Sequence, residues 1–187
     1  MTATRSLGAI MLAITAAGFT GQALADCLTL QEKWGDLRGR TIAFVGDGNN
    51  VATSWIQAVA SLGGKLRLGC PAELAPPAEA VAAAKASGAD ISLATSAEAA
   101  VAGADCVITD AWVSMHDTDA ASRHNLLKPY QVNRRLMALA AKDAKFMHCL
   151  PAHRGEEVTD EIMDGPNSLI LDEAENRLHV QKSILLH

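Results

Sequence analysis

The chain has 187 residues, a formal net charge of −5 and a sequence pI near 5.6. This length is enough to bury a substantial core in one domain, and the acidic balance argues against a nucleic-acid-binding protein. The 4 cysteines are dispersed along the chain, which favours reduced thiols over a disulfide framework.

The N-terminal segment has the pattern of an export signal. Arg5 is followed by an apolar run over residues 7–19 and then by Ala23-Leu24-Ala25, a small-x-small sequence typical of a cleavage site. The run is too short to be a transmembrane helix, so no stable membrane span is expected. We expect a cytoplasmic protein in which residues 1–20 are a signal-like extension. The alternative is export, with residues 1–25 acting as a signal peptide.

Apolar, β-branched segments alternate with helical patterns along the rest of the chain. This alternation is typical of a parallel sheet with helices packed on it. The expected fold class is therefore α/β, a Rossmann-like doubly wound parallel sheet in a three-layer α/β/α arrangement. A loop containing a short helix is expected at 111–130. The predicted strands are 41–45, 65–68, 91–93, 105–109, 145–149 and 168–171, and the predicted helices are 22–35, 51–62, 76–86, 96–102, 133–141 and 173–185.

A dense polar loop follows the predicted strand 145–149. The chain breaks at Pro151 and then carries His153, Arg154, Glu156 and Glu157 within a few residues. Open α/β sheets place their ligand crevice at the carboxyl ends of strands, so this loop is a candidate site. A solvated surface turn is the alternative.

Cofactor and metal patterns in the sequence are incomplete. Gly46-x-Gly48 follows a strand, but Val51 stands where a dinucleotide fingerprint has its third glycine, so no nicotinamide cofactor is expected. His148, Cys149 and His153 flank a strand end without a second cysteine pair, and we expect no structural metal. Cys149 also has no evident base partner in the sequence, and a lone cysteine at a buried strand end is typically a packing residue.

Asp110 lies just beyond the predicted strand 105–109, so its carboxylate is expected to face the crevice. A carboxylate there can hold the cation of an amine substrate and influence its deprotonation. A helix cap or a solvated acid is the alternative, and a capping role is also open for Asn49 and Asn50.

Four stretches, in this order, resemble the ornithine carbamoyltransferase family: Gly46-Asp-Gly-Asn-Asn50, Asp110-Ala-Trp-Val-Ser-Met115, His148-Cys-Leu-Pro-Ala-His-Arg-Gly-Glu-Glu157 and Asp172-Glu-Ala-Glu-Asn-Arg-Leu-His179. The resemblance extends over roughly residues 21–186 and corresponds to the second, ornithine-binding half of that family. It implies that residues 21–40 are an interdomain-type helix and connector and that residues 41–187 are the aspartate/ornithine-binding domain.

The resemblance also implies the reaction and the residues that serve it. Carbamoyl phosphate and L-ornithine would be the partners, with citrulline and phosphate as products and no cofactor. Cys149 and Asp110 would be catalytic, with Cys149 helping to hold the side-chain amine. Ornithine would bind to Asn50, Asp110, Ser114 and Met115, and carbamoyl phosphate to Gln22, Cys149, Leu150 and Arg177. For Arg177, a surface ion pair with Glu173 is the alternative.

Three departures from the family pattern limit what the resemblance implies. The Ser-Thr-Arg-Thr-Arg loop that binds carbamoyl phosphate does not occur in this sequence, His-Pro-x-Gln is replaced by Phe19-Thr-Gly-Gln22, and His116 stands where the family has glycine. We therefore expect a truncated chain that retains ornithine binding with weak carbamoyl transfer or none. The alternatives are a non-catalytic amino-acid-binding module and a non-functional remnant. Copies of the chain would associate through an exposed former domain face.

Overall fold

The computed structural model describes residues 21–113 and 120–186. The signal-like segment 1–20 and the predicted ornithine contacts Ser114 and Met115 lie outside the described residues, as does His116. Within the described ranges, no helix is both long enough and apolar enough to cross a bilayer.

Five parallel strands form the sheet, in the spatial order β3-β2-β1-β4-β5. They are β1 (Thr41–Val45), β2 (Lys65–Gly69), β3 (Asp90–Leu93), β4 (Cys106–Thr109) and β5 (Lys145–His148). The chain moves outward from β1 to β3 and then returns to place β4 on the other side of β1. This reversal is the signature of a doubly wound sheet, and it confirms the predicted fold class.

Helices cover both faces of the sheet. They are α1 (Gly21–Trp34), α2 (Asn50–Leu62), α3 (Ala78–Ala86), α4 (Ala97–Val101), α5 (Ala120–Leu127), α6 (Arg134–Met137), α7 (Asp160–Met163) and α8 (Ile170–Leu185), with short 3-10 turns at Ala72–Leu74 and Lys128–Tyr130. α5 and the 3-10 turn after it fall inside the predicted loop 111–130, where a short helix is expected.

Side-chain alternation along the strands separates the core into two layers. In β1, Ile42 and Phe44 pack in a cluster with residues of α1, α2 and α3, whereas Ala43 and Val45 pack in the opposite cluster with residues of α4 and α6. Every residue of β1 is buried, as expected for a central parallel strand covered on both faces. The three-layer arrangement follows from this alternation.

The predicted strand 168–171 is wrong. Only Ser168 forms an isolated bridge, to Phe146, and α8 already begins at Ile170. The apolar run Leu169-Ile170-Leu171 suggested a strand, but Leu169 and Ile170 are buried while Leu171 is 84% exposed, a pattern set by the first turn of a helix. The predicted helix 133–141 is also shorter than expected, since α6 ends at Met137.

Helix α1 packs along α8. Asn176 on α8 donates to Thr29 Oγ1 at 3.0 Å and to Glu32 Oε2 at 2.8 Å, and Lys33 pairs with Asp172 at 3.1 Å. These contacts bring helix α1 beneath the carboxyl end of β5, where the candidate site lies.

Candidate functional site

Three polar side chains meet at the carboxyl edge of the sheet because β1, β4 and β5 all end there. Asp110 follows β4, Cys149 follows β5, and Asn49 lies in the turn between β1 and α2. The Cys149 thiol donates to Asp110 Oδ1 at 2.9 Å, and Asn49 Nδ2 donates to Asp110 Oδ2 at 2.6 Å. The Asp110 carboxylate therefore lies at the carboxyl edge of the sheet, between Asn49 and Cys149.

Asn49 has a double role that the sequence did not reveal. Its Oδ1 accepts from the backbone N–H of Val51 at 2.9 Å and of Ala52 at 3.2 Å, which caps α2 as expected. Its Nδ2 is left free to point at Asp110. Asn50 is the first residue of α2; it is exposed and lines a depression of about 560 Å³ together with Gly48, Asn49, Thr53, Ser54, Gln57, Ala75 and Pro77.

Cys149 is held as a neutral thiol. Burial, followed by the neighbouring Asp110 carboxylate, raises the pKa of the Cys149 thiol well above its ordinary value. A protonated thiol is a hydrogen-bond donor and a poor nucleophile, because the thiolate is the reactive form. The geometry thus supports a positioning role for Cys149 beside Asp110 and argues against covalent catalysis.

His148 fixes the chain direction after β5. Its Nδ1 accepts from the backbone N–H of Leu150 at 2.9 Å, so the proton lies on Nε2, which donates to Glu157 Oε1 at 3.2 Å. Both the His148 and Glu157 side chains are fully buried. Leu150, half-buried, has a φ of +55°, a left-handed conformation that is strained for a leucine and is stabilised here by the His148 contact.

A buried pair of carboxyl groups lies directly beneath the site. Glu173 Oε2 accepts from the backbone N–H of His148 at 3.0 Å, and Gln22 Nε2 donates to Glu173 Oε1 at 2.8 Å and to Asp26 Oδ1 at 2.7 Å. Trp55 Nε1 donates to the other oxygen of Asp26 at 3.1 Å. Desolvation by burial raises the pKa of Asp26 to about 6, and desolvation and the Asp26 charge raise the pKa of Glu173 well above its ordinary value.

Only one residue of this buried pair, Asp26, could have been recognised as unusual from the sequence. Asp26 lies among the small and apolar residues of the predicted helix 22–35, a position where a carboxyl group is costly to bury without partners. Glu173 carried no comparable signal. Its burial excludes the surface ion pair with Arg177 considered above, because the Glu173 carboxyl group is turned into the core.

The predicted carbamoyl-phosphate contacts are spread over three elements. Gln22 Oε1 is buried and has no hydrogen-bond partner among the described residues. Leu150 follows Cys149 at the end of β5. Arg177 is exposed on α8.

Both flanks of segment 114–119 are anchored beside Asp110. Arg123 on α5 forms an ion pair with Asp47 in the β1–α2 turn, and its Nε donates to Trp112 O at 3.0 Å. The rings of Trp112 and His124 also meet edge to face, with centroids 5.9 Å apart. The residues on either side of Ser114 and Met115 are therefore held near the turn that carries Asn49.

Gly48 is required where the β1–α2 turn meets the segment after β2. Its N–H donates to Leu74 O at 2.8 Å, and an added Cβ would overlap the backbone atoms Leu74 O and Pro76 N. Gly48→Ala is therefore expected to lower the free energy of unfolding by at least about 2 kcal/mol, measured by urea denaturation. Gly64→Ala is the control, since the nearest atom to its added Cβ is 3.4 Å away. Equal stability of the two variants would contradict the conclusion that position 48 requires glycine.

Comparison with known proteins agrees with this architecture. The family profile "Aspartate/ornithine carbamoyltransferase, Asp/Orn binding domain" matches residues 38–187. Ornithine carbamoyltransferase from Bradyrhizobium diazoefficiens is 60% identical over 164 residues, which cover 88% of this chain and 53% of that relative. The chain thus spans about half the length of the curated relatives it matches.

Solved structures give the same result. Ornithine carbamoyltransferase from Pyrococcus furiosus superposes with a TM-score of 0.83 and 44% identity, covering 89% of this chain and 56% of that chain. The corresponding enzyme from Gloeobacter violaceus gives a TM-score of 0.80 and 42% identity, with coverages of 88% and 56%. The parallel sheet, the meeting of Asp110 with Cys149 and these matches lead to one conclusion. The chain belongs to the aspartate/ornithine carbamoyltransferase family and contains its Asp/Orn-binding domain.

Proposed function

We propose that this chain binds L-ornithine at the carboxyl edge of its sheet, with Asp110 accepting hydrogen bonds from an ammonium group of the substrate. The observation that carries the proposal is the placement of the Asp110 carboxylate between Asn49 and Cys149, at 2.6 Å and 2.9 Å. These contacts, with the Ala111 N–H at 2.8 Å, fix the carboxylate while leaving acceptor capacity for a cation.

The remaining contacts of ornithine follow from the resemblance. Asn50 is exposed at the N-terminus of α2, where the positive end of the helix dipole favours the substrate carboxylate. Ser114 and Met115 belong to the segment whose flanks are anchored by Arg123. Together these groups would hold an amino acid by both of its ends, which is the requirement for recognising ornithine rather than a simple amine.

The reaction proposed for the complete family unit is attack of the ornithine side-chain amine on the carbamoyl carbon. The side-chain ammonium first loses a proton to solvent. As the C–N bond forms, the attacking nitrogen loses a second proton, which the departing phosphate can take, and the bond between the carbamoyl carbon and the phosphate oxygen breaks to give citrulline and phosphate. Cys149, Leu150, Gln22 and Arg177 are the proposed carbamoyl-phosphate contacts in this chain. The orphaned Gln22 Oε1 supports this, because it is an acceptor suited to a carbamoyl NH₂ group.

We propose that the chain on its own carries out this transfer weakly or not at all. Phosphate departure needs preorganised donors aimed at the developing charge. The Ser-Thr-Arg-Thr-Arg loop expected for that role does not occur in the sequence. Among the described residues, the hydrogen-bond partners of the Asp110 and Cys149 side chains include no lysine or arginine.

The direct test is citrulline formation by the purified chain, given L-ornithine and carbamoyl phosphate, together with calorimetric titration of L-ornithine. Binding without turnover is the expected result. Turnover that disappears in Arg177→Ala would show that the chain contains a sufficient phosphate site, against the expectation. Neither binding nor turnover would leave the non-functional remnant as the correct interpretation.

We further propose that copies of the chain associate through an apolar stripe on α8. Leu171, Leu178 and Leu185 are 84%, 65% and 86% exposed and recur every seven residues, so they share one side of the helix. Leu186, next to this stripe, is 77% exposed. A second copy of the same helix is the proposed occupant, since an exposed apolar stripe on a helix is self-complementary.

Removing this stripe is expected to suppress association. The double variant Leu178→Glu, Leu185→Glu should remain monomeric over the concentration range in which the unmodified chain associates, as measured by light scattering. Leu93→Glu is the matched control, because Leu93 is 55% exposed but lies on the edge strand β3. Association that persists in the double variant, or that is lost in the control, would refute the assignment to α8.

A further inference from the structure

A second cluster of ionisable side chains lies on the loop after β5, separate from Asp110. One ligand atom each from His153, Glu156 and Glu157 lies within 4.8 Å of the others. His124, on α5, is not a member of this group, but its imidazole contacts one of the two carboxylates. His153 Nδ1 is 3.6 Å from Glu157 Oε2, and His124 Nε2 is 3.5 Å from Glu156 Oε2.

We propose that His153, Glu156 and Glu157 bind a zinc ion. Zinc in proteins is tetrahedral, with nitrogen and oxygen ligands at about 2.0–2.2 Å, which places neighbouring ligand atoms roughly 3.3–3.6 Å apart. The separation of 3.6 Å between His153 Nδ1 and Glu157 Oε2 falls at this spacing before any ion is added. The two carboxylates neutralise the charge of a divalent cation, and the imidazole favours zinc over magnesium or calcium.

Glu157 is the observation that points to a cation rather than to two surface ion pairs. Its side chain is fully buried, and Oε1 accepts from His148 Nε2 at 3.2 Å and from the backbone N–H of His153. Its Oε2 is buried and lacks a hydrogen-bond partner among the described residues, although it faces His153. A buried carboxylate oxygen without a donor is costly, and a metal ion at this position would remove that cost.

The loop is already shaped for the ion. Glu156 N–H donates to His153 O at 3.0 Å, Gly155 N–H to Val158 O at 2.8 Å, and Val132 N–H to Glu157 O at 2.8 Å. Gln131 Nε2 donates to Gly155 O and to Glu156 O at 2.9 and 2.8 Å. Little conformational entropy would therefore be lost on binding. The buried His148–Glu157 hydrogen bond supplies the outer contact that typically orients a ligating carboxylate.

The proposed site lies on the loop after β5, and the contact between His124 and Glu156 connects this loop to α5. His153, Glu156 and Glu157 follow β5, whereas His124 lies on α5, just beyond segment 114–119. The side chains of His153, Glu156 and His124 are 49%, 43% and 37% exposed, so the ion can enter from solvent. The alternative trio Asp110, His148 and Cys149 is less suited, because both ring nitrogens of His148 are already hydrogen-bonded.

The experiment is calorimetric titration of the purified chain with zinc chloride at neutral pH. One ion per chain is expected, and His153→Ala and Glu156→Gln should each weaken binding by about tenfold or more while leaving the circular dichroism spectrum unchanged. Zinc should also raise the Tm of the unmodified chain but not that of His153→Ala. Affinity should fall as the pH is lowered, because metal ligands must be deprotonated and protons therefore compete with the ion.

Two control variants separate this site from other ligands. His179→Ala removes a surface histidine that pairs only with Glu175, at 3.8 Å, and it should bind zinc as the unmodified chain does. Cys149→Ser should also bind normally, and cobalt substitution should show no thiolate charge-transfer band. Unchanged binding in His153→Ala, or loss of binding in Cys149→Ser or His179→Ala, would overturn the proposal. These readouts do not depend on carbamoyl transfer, so they stand independently of the proposed function.

Discussion

Replacing Asp110 with alanine is expected to weaken L-ornithine binding by about 100-fold, measured by calorimetric titration. The carboxylate is the proposed partner of a substrate ammonium group, and a charge-assisted hydrogen bond of this kind contributes roughly 2–3 kcal/mol. The loss of the carboxylate also leaves the Asn49 amide and the Cys149 thiol without their acceptor. Asp110→Asn should retain the fold more fully and lose a similar part of the affinity, because it removes the charge but keeps the shape.

Asp90→Asn is the control for Asp110. Asp90 begins β3, and its side chain is 65% exposed at the opposite edge of the same sheet. Ornithine affinity should be unaffected there. L-Norvaline, which lacks the side-chain amine, shows which ammonium group Asp110 contacts. If Asp110→Ala weakens the binding of ornithine but not of norvaline, Asp110 contacts the side-chain amine. If it weakens the binding of both ligands equally, Asp110 contacts the α-amine. Unchanged ornithine affinity in Asp110→Ala would refute the proposed site.

Glu173→Ala is expected to lower the free energy of unfolding by about 3 kcal/mol, measured by urea denaturation at pH 7. The substitution leaves the buried His148 N–H and the Gln22 amide without an acceptor, and each unsatisfied group costs about 1–3 kcal/mol. Glu173→Gln should cost only about 1 kcal/mol, because glutamine keeps the shape of the side chain and retains one acceptor. Glu175→Ala, with its side chain 75% exposed on the same helix, should change stability by less than about 0.5 kcal/mol.

The same carboxyl pair predicts a defined pH dependence. The pKa of Asp26 rises from 3.8 to about 6 on folding, so between these values the folded state binds more protons than the unfolded state. The contribution of Asp26 to stability is therefore fully present below about pH 4 and is lost as the pH rises through about 6. Relative to Asp26→Asn, the free energy of unfolding of the unmodified chain should fall by on the order of 2–3 kcal/mol from pH 4 to pH 7, measured by urea denaturation. A constant difference between the two proteins from pH 4 to pH 7 would contradict the raised pKa.

Most of the sheet was predictable because its strands are short apolar runs bounded by turn residues. Thr41–Val45, Lys65–Gly69 and Cys106–Thr109 agree with the prediction to within one residue. The strand predicted for residues 168–171 was wrong because an apolar run of that length fits either a strand or the first turn of a buried helix. Which side chains of the segment are buried decides between a strand and a helix. That burial depends on β5 and α1, which pack against the segment.

The sequence by itself determined the α/β class, the family and the position of Asp110 directly after a strand. The class and this position follow from the alternation of apolar runs with helical patterns, and the family follows from four motifs in their order along the chain. Only the tertiary structure decided that Asn49 both caps α2 and contacts Asp110, and that Glu173 lies beneath the site with Gln22, 151 residues away along the chain. It also decided that His124 meets Glu156. Periodicity and propensity act over about ten residues, whereas burial and hydrogen bonding are set by whichever distant segments the fold brings into contact.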